Sequence, residues 1–101
     1  MLTKKQIERI RKGLNGSAQR AIFKLLSDAN RYRIFQILNK QSELIVRDIA
    51  EILEISTPLA SQHLKVLELG GLLEKEKQGQ KSYLKLRTDN PVAQAIVREI
   101  M

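Results

Sequence analysis

Between Ser56 and Lys65 the chain reads STPLASQHLK, a run in which small hydroxyls, an amide, an imidazole and an ammonium recur at helical spacing. If Ala60, Leu64 and Leu67 are the buried side of a helix, about 100° per residue places Pro58, Ser61, Gln62 and Lys65 opposite or flanking it. Of these, Ser61, Gln62 and Lys65 suit hydrogen bonding to the edges and backbone of a nucleic acid, and Pro58 stands among them. The amide of Gln62 matches adenine in bidentate fashion, the hydroxyls of Thr57 and Ser61 bond bases or phosphates, and Lys65 reaches guanine or a phosphate. Ser56 is a strong N-cap. The free amides that follow it favour a phosphate, and Pro58 is tolerated because first-turn amides have no acceptor within the helix. His63 is the only histidine and lies about 60° from the centre of the buried side, at the helix edge. It is expected to be half-buried, bonded to a backbone group or a phosphate. A metal needs several converging ligands, and with no second histidine and no cysteine neither a metal nor a cofactor is expected.

A second polar cluster follows at Lys75, Lys77, Gln78, Gly79, Gln80 and Lys81. Two strands are expected around it, LLEKEK and KSYLKLR, because Leu84 and Leu86 alternate with Tyr83, Lys85 and Arg87. Lys77 to Gln80 joins them, with Gly79 free to take a positive φ. Such a hairpin lays its cations and amides along a sugar-phosphate backbone or into a minor groove, which adds Lys77, Gln78, Gln80 and Lys81 to the candidate contacts.

The remaining elements hold these two in place. Val46 to Leu53 forms a compact helix with Ile49, Ala50 and Leu53 inward, and Glu54-Ile55 makes a tight turn into the helix that Gly70-Gly71 ends. Upstream, Asp28 starts a helix that buries Arg31, Ile34, Phe35 and Leu38. Before it, Ser17 caps a helix with Ala18, Ala21, Ile22, Leu25 and Leu26 on one stripe. The first helix, from about Thr3 as its cap, carries Ile7, Ile10 and Leu14. The last is capped by Asn90, opened by Pro91, and carries Val92, Ala93, Ile96, Val97 and Ile100. The expected fold is mainly α with a small β-hairpin wing, a winged helix-turn-helix. Residues 1–101 make one domain, with the helix-turn-helix at about 46–69 and the wing at about 72–87.

Charge and composition agree with a polyanionic partner. The net charge is +7 over 101 residues. The excess is concentrated upstream: residues 1–26 hold seven Lys/Arg and one Glu, whereas residues 27–55 hold four bases and five acids. No apolar run approaches the roughly 20 residues that span a bilayer, and the N-terminus lacks a signal-peptide core, so a cytoplasmic chain without membrane contact is expected. No nucleophile–base pair, ligand cluster or phosphate-cradling glycine loop appears, so no enzymatic activity is expected.

From about Leu26 to Leu86 the chain resembles the ArsR/SmtB family of bacterial and archaeal repressors. LSDANRYRIFQIL is similar to that family's L-x-D-P-T-R-x-x-I-L-x-x-L, with Ala29 and Asn30 where Pro and Thr are usual. SELIVRDIAEILEIS resembles its E-L-C-V-C-[ED]-L-A segment, STPLASQHLKVLELGGLL its S-Q-P-T-V-S-x-H-L-x-x-L-x-x-A-G-L-V, and GQKSYLKL its wing G-R-x-x-Y-Y-x-L. The resemblance implies a homodimer built from the first and last helices, about 3–14 and 90–101, that binds an imperfect inverted repeat in double-stranded DNA. The stripes Ile7-Ile10-Leu14 and Val92-Ile96-Ile100 suit such an interface. A two-fold dimer would set its recognition helices about 34–36 Å apart in successive major grooves. Where metal-sensing members carry the cysteine pair, this chain has Ile45 and Arg47, and its last helix lacks the Asp and His ligands of the other metal site. Neither sensor carries over, and an effector stays unspecified. Sequence-specific repression is the leading reading. A winged helix serving as a protein-interaction module, or as a nonspecific architectural DNA binder, is the alternative.

Overall fold

The computed structural model describes residues 1–12, 17–87, 89 and 91–100. Among the described residues, six helices and a hairpin follow in the order α1 (Lys4–Lys12), α2 (Ser17–Leu26), α3 (Ala29–Lys40), α4 (Val46–Leu53), α5 (Thr57–Leu69), β1 (Leu73–Gln78), β2 (Lys81–Leu86) and α6 (Pro91–Ile100). No described helix is long and apolar enough to cross a membrane.

Helix ends are set by side chains that satisfy free backbone groups. Thr3 and Gln6 form a reciprocal box at the start of α1: the Gln6 amide donates to Thr3 Oγ1 at 3.1 Å and the Thr3 amide to Gln6 Oε1 at 2.9 Å. Asp28 accepts the Arg31 amide at 3.0 Å and starts α3. At α4 only half of such a box exists, because Ile45 has no side-chain acceptor; Asp48 Oδ2 takes the Ile45 amide at 2.9 Å. Ser27 Oγ donates to the Lys24 carbonyl at 2.7 Å, and Arg31 Nε–H to the Leu25 carbonyl at 2.7 Å. Arg31, expected to sit on the buried stripe of α3, is therefore half-buried for a polar reason: it satisfies an orphan carbonyl at the end of α2.

Helices α4 and α5 end in the same motif with different residues. After α5, Leu72 N–H bonds the Leu67 carbonyl at 3.0 Å and Gly71 N–H the Glu68 carbonyl at 3.1 Å, with Gly71 at φ 81°. After α4, Ile55 N–H bonds the Ala50 carbonyl at 3.0 Å and Glu54 N–H the Glu51 carbonyl at 3.2 Å, with Glu54 at φ 55°. Both are Schellman closures, but in the second a glutamate holds the left-handed position that glycine takes without steric cost. Removing that penalty of about 1–2 kcal/mol outweighs the added flexibility of the unfolded chain. Glu54→Gly is thus expected to raise stability by about 0.5–1 kcal/mol in urea unfolding; a lower midpoint at unchanged slope would contradict this.

The core is continuous through all the helices. α3 lies at its centre, packed against α2, α4, α5 and β2, and it buries Tyr32, Ile34, Phe35 and Leu38. Ile49 and Ala50 of α4 and Ala60, Leu64 and Leu67 of α5 close over it, with Leu72, Leu73 and Leu84 sealing the hairpin side. Ile22 and Leu26 of α2 are buried as the stripe predicts, but Ala21 is exposed, since the packed face of α2 centres on the larger side chains. The side chains of Ser17 and Ala18 lie outside the described residues, as does Asn90. α6 packs on α1 and α2.

Candidate nucleic-acid interface

The helix-turn-helix comes together as α4, the Glu54-Ile55 turn and α5. Ser56 Oγ accepts the Leu59 amide at 3.2 Å and fixes where α5 begins. Pro58 sits in the first turn. With Ala60, Leu64 and Leu67 held at 0%, 1% and 1% exposure, the rotation of α5 is locked. Thr57, Pro58, Ser61, Gln62 and Lys65 are consequently all exposed together with Ser56. This 13-residue helix is about 20 Å long, and a helix diameter of about 10–12 Å fits the roughly 12 Å width of a B-form major groove. What this face presents is a donor–acceptor amide, hydroxyls and one cation, the chemistry of base edges and phosphates.

His63 departs from this set. Its side chain is only 13% exposed, with Nδ1 3.8 Å from Asp28 Oδ1 and Nε2 3.5 Å from Asn30 Nδ2. The half-buried position is as expected, but its neighbours are side chains at the N-terminus of α3 rather than a backbone group or a phosphate. It turns away from the outer face because 60° of rotation brings it under α3. It lies between α5 and the cap of α3, off the exposed face of α5. Asp28 thus does three things: it caps α3, faces Arg31 at 4.0 Å, and faces His63. Burial raises its pKa, yet the Arg31 amide together with the charges of His63 and Arg31 holds the carboxyl below the usual carboxylate range.

A carboxyl depressed in the folded state stabilises above its unfolded pKa, and that contribution is lost as pH falls through the lower folded value. Asp28→Asn keeps a capping oxygen and removes only the charge. The parent should therefore exceed the variant in stability at pH 5–7, with the margin closing below about pH 4. A margin constant down to pH 3 would show that the charge contributes nothing.

The wing is tighter than the spacing suggested. β1 and β2 pair antiparallel, Gln78 facing Lys81, so only Gly79 and Gln80 form the loop, while Lys77, Gln78 and Lys81 belong to the strands. Gly79 has φ 64° and Gln80 is not left-handed, the sign pattern of a II′ hairpin. Pairing sorts the cations. Lys75 and Lys77 stand opposite Leu84 and Ser82, on the face that Leu73 and Leu84 bury against the helices. Lys85 stands opposite Glu74 on the outer face, with Tyr83 opposite Glu76 and Lys81 opposite Gln78. Lys75 and Lys77 thus extend toward the tip with no acid as cross-strand partner, on the side that also carries the helical body. A backbone link outside the β1–β2 pairing also fixes the hairpin: the Leu84 amide donates to the Leu44 carbonyl at 2.8 Å.

Comparison with known proteins adds a family to this geometry. Residues 19–75 match the model of bacterial regulatory proteins of the arsR family, more than half of the chain. The chain belongs to the arsR family of bacterial regulatory proteins. The match runs from α2 through α5 into β1, so it covers the recognition helix and its supports but stops before β2 and α6. The chain is 38% identical over 80 residues to a cadmium resistance transcriptional regulatory protein CadC homolog of Staphylococcus aureus, covering 79% of this chain and 65% of that protein. It therefore spans just under two thirds of that relative's length. It is 36% identical over 67 residues to the transcriptional repressor SdpR of Bacillus subtilis, covering 66% of this chain and 73% of that one. Among solved structures, the homodimeric winged helix-turn-helix DNA-binding domain Mb0332 from Mycobacterium bovis superposes with a TM-score of 0.70 at 20% identity, over 97% of this chain and 83% of that one.

The residues assigned to a dimer contact divide. Ile10 and Ile96 are 5% and 0% exposed within a single chain. They are core residues where α1 meets α6, and periodicity alone does not tell such burial from burial by a partner. Ile7 is half-buried; Leu14 and the side chains of Val92 and Ile100 lie outside the described residues. Sequence reasoning also passed over Tyr32, buried at 3%, and Asn30 beside His63, and it overlooked the exposed Ile52 and Val66 at 52% and 37%. Val66 was findable: it lies about 120° from the buried centre of α5, well off the core.

Proposed function

We propose that this chain is a homodimeric, sequence-specific repressor that binds an imperfect inverted repeat in double-stranded DNA through α5 and the wing, and that it works in the cytoplasm. One observation carries the reading: α5 is locked by three buried residues so that Pro58, Ser61, Gln62 and Lys65 share an open face, beside a hairpin whose Lys75 and Lys77 face no acid across the strands. Family membership supports it, as do a relative that is a transcriptional repressor and a fold neighbour that is a homodimeric DNA-binding domain. Two copies related by a two-fold axis would read half-sites one helical turn apart. The cadmium-resistance relative raises the question of a metal effector. This chain has no cysteine, so thiolate sensing does not come from these 101 residues, and among those described no group of three or more His, Cys, Asp or Glu is placed to hold an ion.

Selection of bound sequences from a random duplex library at about physiological salt tests the proposal. Recovery of an inverted repeat with half-sites about 10 base pairs apart is expected. Retention of DNA without a motif would replace the reading with an architectural binder, and no retention would leave a protein-interaction module.

A further inference from the structure

The open face of α5 is not uniformly polar. With the buried centre of the helix as origin, Ser61 and Lys65 lie on one flank, Pro58 and Gln62 near the summit, and Leu59 and Val66 on the other flank. Leu59 and Val66 are each 37% exposed, and Leu69 at the C-terminal end is 78% exposed. Ala60, Leu64 and Leu67 already anchor the helix, so the third of Leu59 that reaches solvent is apolar surface available to a ligand. Leu59 differs from the other two in its place. It lies in the first turn, three residues before Gln62 and on the same side, so the two side chains are neighbours about 5–6 Å apart at Cβ. The N-terminal part of a recognition helix is the part that meets base edges, and the only apolar group on a major-groove base edge is the C5-methyl of thymine.

We infer that Leu59 is a specificity-determining residue that packs on a thymine methyl at the base pair adjoining the one Gln62 reads. The inference rests on the DNA-binding reading above. Gln62 and Leu59 then act as a two-letter reader, a bidentate amide for adenine and an apolar cap for the next thymine. Ser61 and Lys65 on the opposite flank hold the backbone. Val66, half a helix further on, touches no base, and Leu69 lies beyond the groove.

Deoxyuridine in place of thymidine removes the methyl and leaves every hydrogen-bonding group unchanged. Each thymine of the selected half-site is replaced singly by uracil, and binding is measured for the parent, Leu59→Ala and Val66→Ala. One position should weaken the parent by about fourfold, the worth of burying one methyl. Leu59→Ala should bind the thymine and uracil forms equally, while Val66→Ala keeps the parent's difference. Alanine at an exposed helical site leaves folding intact, and the uracil series on the parent needs no variant at all. Sequence-specific binding that ignores every uracil, or a methyl response that survives in Leu59→Ala, would overturn the role of Leu59 and leave the repressor reading standing. Absence of any preferred duplex would overturn both.

Discussion

Replacing Gln62 by alanine is expected to weaken binding to the preferred duplex by about 1–3 kcal/mol, roughly 5- to 150-fold, with little change on a scrambled duplex. The asymmetry follows from position. Gln62 is exposed near the summit of α5 and makes no contact that the fold needs. Alanine is the better helix former, so thermal stability should be unchanged or slightly raised. What is lost is a pair of hydrogen bonds available on adenine and on no other base in the same geometry, so discrimination falls with affinity. Lys65→Ala is the contrasting case: if that ammonium meets a phosphate, binding weakens alike on both duplexes and its salt dependence flattens. Parallel titrations of parent and Gln62→Ala on the two duplexes at one salt concentration decide it. Equal loss on both would move Gln62 from reading bases to holding the backbone.

The helix-turn-helix could be read from the sequence because its determinants are local. Ser56, Pro58, the 60-64-67 spacing and Gly70-Gly71 each act within one or two turns, and α5 begins and ends where they dictate. Gly79 marked the wing turn for the same reason. The environment of His63 was not legible, since Asp28 and Asn30 lie more than thirty residues away in the chain and meet it only once α3 crosses α5. Ile10 and Ile96 show a different limit. A stripe of apolar residues says that a face is covered, and only the packing of α1 on α6 says that the cover is this same chain. Glu54 shows a third. Its left-handed backbone is imposed by the two helices on either side, against the residue's own preference, so no propensity argument finds it. The site was thus legible on its outer, solvent-facing side and illegible where it is braced from behind.

That bracing gives the other large effect. Leu64 is 1% exposed, in the middle of α5 and on the face packed against α3 and α4. Leu64→Ala should cost about 2–5 kcal/mol, the lost transfer energy plus the cavity left in a core with little freedom to collapse. For a domain of this size, stable by about 5–15 kcal/mol, that is a large share of the whole. Leu64→Met, which keeps the volume, should cost less than about 1.5 kcal/mol. Both are read from urea unfolding at fixed protein concentration. DNA binding by Leu64→Ala should fall only with the folded fraction and recover on cooling or in an osmolyte, unlike the loss in Gln62→Ala, which no stabiliser restores. A dimer adds a second observable: if folding and association are coupled, the midpoint of each variant rises with protein concentration. A midpoint independent of concentration would place the folded state in the monomer, with the α1–α6 contact sufficient to cover Ile10 and Ile96 unaided. A cost below about 1 kcal/mol for Leu64→Ala would mean that α5 is held by its cap and its Schellman closure rather than by its buried face.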